Sequence, residues 1–372
     1  MSLDFLWKTI LEVGPKQLVM YAVGILLIYL AIAKKLEPSL LLPMGFGAIL
    51  VNIPFSAVLG EAGAIEWLFN VGINVSEILP LLLFIGIGAM LDFGPLLASP
   101  KLIFIGAAAQ AGIFATIILA TLCGFDIKEA ASIGIIGAAD GPTSILVSGK
   151  LLPEGNNIRG AITIAAYCYM ALVPIIQPTV IKFCTTKKER LIKMEYNPKN
   201  VSKTAKIAFP IIITMIAGLL APASVSLVGF LMFGNLIREC GVLDSLSETA
   251  SKTLTNLVTL LLGITISFTM VAESFVNVDT LIVMGLGLLA FVFDTFFGIF
   301  FVKFINLFSK KKINPMVGAA GISAFPMASR IVHQLGVKED KSNYLLMHAA
   351  SANIAGQVAS AIAGGVLLSL FI

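Results

Sequence analysis

The sequence predicts an all-α polytopic membrane protein made of two inverted repeats, each of about five crossings plus one proline-broken hairpin. Three observations carry that class. The 372-residue chain is 58% hydrophobic and only 12% charged, roughly half the charge of a soluble domain. Two apolar stretches, 129–149 and 314–334, carry a proline near the centre and are too interrupted for a simple span. Motif positions also recur at one offset. Pro142 and Pro326 lie 184 residues apart (326 − 142), and the same step pairs Gly137 with Gly321, Pro38 with Pro222 and Gly45 with Gly229. It further pairs Phe46 with Phe230, Ile53 with Ile237, and Ala165-Ala166 with Ala349-Ala350. An odd number of crossings per half forces the two halves into opposite orientations, an arrangement that transporters share.

Taken in order, residues 1–16 read as a short interfacial helix, because they hold Asp4, Glu12 and Trp7 and lack the basic start of a cleavable signal. A bilayer core needs about 20 apolar residues per helix. Stretches of that kind run over 17–33, 38–57, 79–98, 101–123 and 159–182 in the first repeat, 17–182. They run over 206–220, 222–240, 253–272, 280–303 and 343–371 in the second, 206–372. Pro38, Pro80, Pro100 and Pro222 mark span starts, where the missing N–H is least costly. Between the repeats lies a basic loop, 183–205, with Lys187, Lys188, Arg190, Lys193, Lys199 and Lys203. The positive-inside rule makes the 182–206 loop cytoplasmic. Lys34-Lys35, Lys101 and Lys310-Lys311-Lys312 then fall on the same side, provided both hairpins return to the face they entered. Both termini are expected outside.

The net charge of +4 gives no sign of a nucleic-acid partner, and Cys123, Cys168, Cys184 and Cys240 are isolated. No GxxxxGK[ST] segment is present, so ATP hydrolysis by this chain is not expected. The chemistry concentrates at Asp140. A carboxylate at a bilayer centre costs about 2.5–3.5 kcal/mol even on lenient scales, so such acids face an ion path or a partner. Gly141 and Pro142 break the helix beside it, and broken backbone survives at that depth only inside protein or along a watery cavity. The alternative is an Asp140 that merely caps the helix beginning at Pro142.

The candidate ligands around it are oxygens. Thr143 and Ser144 follow Asp140 directly. Ser323 lies in the second hairpin, and the 184 offset maps Tyr169 onto Asn353, each on the span after a hairpin. Asn353, Gly356 and Ser360 share one face of the last span, and Ser351 lies beside it. The candidate cation site is therefore Asp140, Thr143, Ser144, Ser351, Asn353, Gly356 and Ser360, with Tyr169 nearby. Hard cations prefer oxygen ligands, and one carboxylate among neutral oxygens suits a monovalent ion. Burial favours the protonated acid and a bound cation favours the carboxylate, so Na⁺ and H⁺ would compete at Asp140. Asp92, Gln110, Gln177, Glu273 and Asp294 are expected to be interfacial or to bond across helices. These residues alone fit equally a Na⁺/H⁺ antiporter or a Na⁺/carboxylate symporter, and a membrane anchor for a soluble enzyme is a further reading.

Gly137-Ala-Ala-Asp-Gly-Pro-Thr-Ser-Ile145 and Ala165-Ala-Tyr-Cys-Tyr-Met-Ala-Leu-Val-Pro-Ile-Ile-Gln-Pro178 resemble the β subunit of the sodium-pumping, biotin-dependent decarboxylases. The ending Met347–Gly365 is similar to that family too. The family spans oxaloacetate, methylmalonyl-CoA and glutaconyl-CoA decarboxylases. The resemblance implies a membrane subunit of a primary Na⁺ pump, in which CO₂ release from carboxybiotin consumes a proton and drives Na⁺ export. It implies biotin carried by a partner and not attached here; Lys193 is followed by Met194 but preceded by Ile192. The implied partners are a carboxyltransferase α subunit, a biotin carrier protein and a small single-span membrane subunit, with the β subunit a homo-oligomer in a bacterial inner membrane. Asp140 matches the family's Na⁺-binding aspartate. Tyr169 matches the second tyrosine of AAYxYMALVP, tied to ion binding or proton delivery, which gives Asp140 and Tyr169 the catalytic roles. A basic residue expected near the end of some relatives has no counterpart between Val366 and Ile372. The short chain leans towards the acyl-CoA decarboxylases.

Overall fold

The computed structural model describes residue 9 and residues 11–60, 63–153, 156–195 and 201–372, and the expected interfacial helix over 1–16 lies largely outside them. Among the described residues every regular element is a helix. Short turns of helix aside, these are in order α1 (Pro15–Ala33), α2 (Pro38–Val51), α3 (Ala64–Val75), α4 (Ile78–Met90), α5 (Pro100–Leu122), α6 (Ile127–Gly134), α7 (Gly141–Leu151) and α8 (Asn157–Cys184). They continue with α9 (Lys203–Leu220), α10 (Val225–Glu239), α11 (Asp244–Met270), α12 (Val278–Phe308), α13 (Met316–Ala319), α14 (Met327–Glu339) and α15 (Leu346–Phe371). Six of them, α1, α5, α8, α11, α12 and α15, are long and apolar enough to cross a bilayer. Together with the exposed apolar side chains along α1, α9 and α12, they make this a multi-pass membrane protein.

The helix ends follow local chemistry. Pro15, Pro38, Pro100 and Pro142 occupy first-turn positions, where proline costs no hydrogen bond. Asp126 caps α6 in a reciprocal box with Glu129. Asn156, Ser202 and Asn277 cap α8, α9 and α12 through their side-chain oxygens.

Two expected spans come out shorter. The 38–57 stretch is helical only to Val51, because Asn52 ends it. Asn52 Nδ2 donates to the Ala48 carbonyl at 2.7 Å and to Met270 at 2.8 Å, while its Oδ1 accepts from the Ala272 N–H at 2.7 Å. The 79–98 stretch stops at Met90, since Asn235 on α10 takes the freed Leu91 carbonyl at 2.8 Å. One helix was not anticipated at all. Ala64–Val75 begins in an acid-containing stretch that reads as a loop, and it meets α4 at a 70° bend.

Packing is through glycine. A Cβ on Gly88 or Gly234 would collide with the Leu231 or Ile85 carbonyl across the α4–α10 crossing, and Gly24 and Gly45 oppose one another between α1 and α2. Without a hydrophobic driving force between helices in lipid, such close backbone approach is the main source of cohesion.

The basic segment after α8 is not a free loop. Arg190 pairs with Glu339 at 2.7 Å, Lys193 with Asp340 at 2.9 Å and Lys303 with Glu189 at 3.1 Å. The buried Asn314 also donates to the Arg190 and Ile192 carbonyls, tying the segment over the mouth of the second hairpin. Hydrogen bonds from Lys193 and Ser342 hold the Asp340 carboxyl below its ordinary range. This docking should therefore be complete above ordinary carboxylate pKa values and weaken as pH falls through the depressed one.

Two outcomes are expected. Asn52→Ala strands buried backbone groups on α11 and should destabilise the purified protein by about 2–3 kcal/mol, read as a lower thermal midpoint in detergent. Glu339→Gln should speed trypsin cleavage after Arg190 by about two- to fivefold, with the midpoint nearly unchanged.

Candidate functional site

The first hairpin turns at Ala139, which sits in the left-handed region (φ 54°), followed by extended Asp140. That geometry places Asp140 at the N-cap position of α7, yet its side chain makes no capping bond. Instead Asp140 Oδ2 accepts from Thr143 Oγ1 at 2.6 Å, Gln357 Nε2 at 3.1 Å and Ser360 Oγ at 3.2 Å. All four side chains are buried, Asp140 at 3% exposure. Ser144 Oγ donates to the Asp140 carbonyl at 2.9 Å, so it supports the turn and leaves the carboxylate to the others.

The second hairpin crosses this turn. Ser323 N–H donates to the Ala138 carbonyl at 2.9 Å, joining the two breaks directly. Three carbonyls of the second break each accept from a buried side-chain amide. Asn353 Nδ2 donates to Ile322 at 2.6 Å, Gln110 Nε2 to Gly321 at 3.2 Å and Gln177 Nε2 to Ala319 at 2.7 Å. Ser323 Oγ donates to the Gly356 carbonyl at 3.0 Å. A Cβ on Gly356 would collide with the Gly321 carbonyl, so glycine there permits the contact between α15 and the hairpin.

Of the residues singled out from the sequence, Asp140, Thr143 and Ser360 come together, with Ser144 beneath them. Asn353 and Gly356 serve the other hairpin, and Ser351 Oγ turns back to the Met347 carbonyl at 2.8 Å. Tyr169 also lies away from the carboxylate: its hydroxyl donates to the Met284 carbonyl on α12 and its ring meets Gly287. The tyrosine beside Asp140 is Tyr167, whose ring fills the space where a Cβ of Gly141 would be. Its hydroxyl is buried and has no hydrogen-bond partner among the described residues. Sequence reasoning missed Tyr167 and Gln357. The signal for Gln357 was present: it stands three residues before Ser360, on the same helix face. Of the other polar span residues, Gln110 and Gln177 bond across helices as expected, while Asp92 and Glu273 form ion pairs with Lys206 and Lys16.

The arrangement is one carboxylate with an amide and two hydroxyls at a double helix break, flanked by opened backbone. Chemically it can exchange a proton for a hard monovalent cation, because both hydroxyls and the amide can turn oxygen towards a cation.

Comparison with known proteins places this site in context. The family described as "Na+-transporting oxaloacetate decarboxylase beta subunit" matches residues 16–371. The methylmalonyl-CoA decarboxylase subunit beta of Propionigenium modestum is 46% identical, with 95% of this chain and 94% of that protein covered. The glutaconyl-CoA decarboxylase subunit beta of Acidaminococcus fermentans is 47% identical over 95% of this chain and 92% of its own length. The oxaloacetate decarboxylase beta chain of Klebsiella pneumoniae is 42% identical over 96% of both.

The two tyrosines make a stability test. Tyr167→Phe removes a hydroxyl without a partner and should leave the thermal midpoint unchanged or slightly raised. Tyr169→Phe removes an interhelical bond and should cost about 0.5–1.5 kcal/mol, measured in the same detergent.

Proposed function

This chain belongs to the β-subunit family of the Na⁺-transporting decarboxylases and is the membrane subunit of a decarboxylase-coupled Na⁺ pump; from that premise we propose that Asp140, Thr143, Gln357 and Ser360 form its Na⁺ site. The observation that carries this reading is the single buried carboxylate ringed by three neutral groups at the crossing of two broken hairpins. With Asp140 ionised, Na⁺ takes the carboxylate and the hydroxyl and amide oxygens. With Asp140 protonated, the neutral groups close on the acid. One ion replaces the other, and release of CO₂ consumes a proton, so a proton gradient and Na⁺ export share one group.

The inverted-repeat arrangement belongs to the same reading. It is supported by the order of elements: α1–α2, the bent α3–α4, α5, a hairpin and α8 correspond to α9–α10, α11, α12, a hairpin and α15. Asn52 and Asn235 close matching helix ends in the two halves. With the basic segment 183–205 cytoplasmic by the positive-inside rule, the second hairpin opens inward and the first outward, and both termini lie outside. Carboxybiotin on a biotin carrier then approaches the second hairpin from the cytoplasm, delivered by a carboxyltransferase α subunit. A small single-span subunit and further β copies complete a complex in the bacterial inner membrane. Carboxybiotin supplies the CO₂ whose release drives the cycle, and this chain supplies the ion path. Identities of 46–48% to the acyl-CoA enzymes, against 40–42% to the oxaloacetate enzymes, favour an acyl-CoA substrate for the complex.

Asp140→Asn keeps the shape and removes the charge, so the complex should assemble while Na⁺-dependent decarboxylation falls by about 100-fold or more. Gln357→Met should raise the half-saturating Na⁺ concentration by roughly tenfold, the effect of one charge-assisted hydrogen bond. Both are read as CO₂ release from purified complex titrated with NaCl, and unchanged Na⁺ stimulation in Asp140→Asn removes the assignment.

A further inference from the structure

The proposed Na⁺ site leaves a second buried carboxylate unused. Asp294 stands near the middle of α12, is fully buried, and neither of its oxygens has a hydrogen-bond partner among the described residues. It faces α5 at Gly112, where any Cβ would collide with Asp294 Oδ1. That contact lies beside a break in α5, whose helical pieces Ile103–Ala109 and Ala111–Leu122 are joined by a turn at Gln110. The Ile113 N–H is within reach of the carboxyl but is engaged by the Gln110 carbonyl at 3.1 Å. One turn on, the Thr116 hydroxyl donates to the Gly112 carbonyl at 2.9 Å and offers the acid nothing.

Among the described residues, no ion pair links Asp294 to a basic group on the elements packed against α12. Hairpin 1 contributes Gly137 against Ala290, and hairpin 2 contributes Gly318 against Gly298. The titratable groups on the packed elements are elsewhere: on α8, Arg159 meets Gly149, Tyr167 lies against Gly141, Cys168 lines a cavity with Leu27, and Lys182 is exposed. Tyr169 is bonded at Met284, and Lys303 with Glu189 and Cys184 sit at the far end of α12. Lys101 and the Lys128–Glu129 pair lie at the exposed ends of α5 and α6. An ionised carboxylate without donors or cation is very costly in such surroundings, and the neutral acid is the form the crossing accommodates.

Two further observations tie the group to both hairpins. Asp294 lies one turn from each hairpin contact, between Ala290 and Gly298 on the same helix face. Gln110, whose own Oε1 is buried and unpartnered, holds the Gly321 carbonyl of hairpin 2. A shift of that hairpin therefore pulls on the α5 turn that closes over Asp294.

We propose that Asp294 is a proton-carrying carboxyl of the pump, holding its proton while the α5–α12 crossing is closed and exchanging it when the hairpins shift. In that step the carboxyl O–H bond breaks, the electron pair stays on the carboxylate, and the proton passes to water admitted at the opened turn; re-protonation reverses it. The inference rests on the pump function but not on the Asp140 assignment.

The test is the pH profile of decarboxylation and of ²²Na⁺ uptake by reconstituted complex. Wild-type rates should fall on the alkaline side as Asp294 stays ionised. Asp294→Asn should assemble normally, run about 100-fold slower at the wild-type optimum and lack the alkaline limb. Asp294→Glu should restore a limb at a shifted pH. A wild-type profile in Asp294→Asn overturns the proposal, as does a raised Na⁺ requirement with the pH limb intact, which would make the group a cation ligand. Should Asp294→Asn fail to assemble, wild-type complex treated with dicyclohexylcarbodiimide decides. An adduct on Asp294, found by mass spectrometry, supports a protonated acid. Labelling confined to Asp140 refutes it. Failure of the Asp140 site shows separately, in the Na⁺ titration of Asp140→Asn.

Discussion

The constraint on which the whole molecule depends is the supply of hydrogen-bond partners to broken backbone in a place without bulk water. Both hairpins stop being helical near their centres, and each interruption releases carbonyls and N–H groups that lipid cannot satisfy. The protein answers with buried amides. Asn353, Gln110 and Gln177 reach from α15, α5 and α8 to three carbonyls of the second break, and the two breaks also bond each other through Ser323 and Ala138. Three helices are thereby locked to one short stretch of irregular chain. The glycines that line it, Gly137, Gly318, Gly321 and Gly356, allow the backbones to come close enough for those bonds.

Much of this was legible in the sequence. Composition gave the membrane class, the proline-broken stretches gave both helix breaks to within a few residues, and Asp140 stood out because a carboxylate has no ordinary reason to be there. Helix ends were less legible. Asn52 and Asn235 terminate helices by bonding to distant segments, and an apolar run carries no mark of a partner more than a hundred residues away. The helix at Ala64–Val75 was hidden for a related reason: Glu61 and Glu66 dominate the local pattern, while the residues that bury its inner face belong to α11 and α4.

The candidate site was half legible, and helix phase explains the other half. Residues two apart on a helix point about 200° apart, so Tyr167 and Tyr169 cannot face the same neighbour. The sequence offset pairs Tyr169 with Asn353, but an offset of that kind relates each residue to the break that precedes it in its own half of the sequence. Asn353 indeed bonds the second hairpin's break, and Tyr169 bonds α12 beside the first. Neither position reaches Asp140: on α8 the residue beside it is Tyr167, on the opposite face from Tyr169, and on α15 the donors are Gln357 and Ser360, one turn further along the face that carries Asn353.

On α15 the division is by position along the axis and not by phase. On α15, Asn353 and Gly356 fix the second hairpin, and Gln357 and Ser360, a turn further on, hold the carboxylate of the first. A single rigid helix thus couples the geometry of one break to the coordination offered at the other. Any tilt of α15 that lengthens the Asn353–Ile322 bond must also move two of the three donors at Asp140. Bonds this close together on one rod cannot be broken independently, and for a pump that property matters more than tight binding. An ion site whose ligands relax one at a time leaks, whereas one whose ligands are carried on the element that senses the opposite hairpin changes affinity and access together.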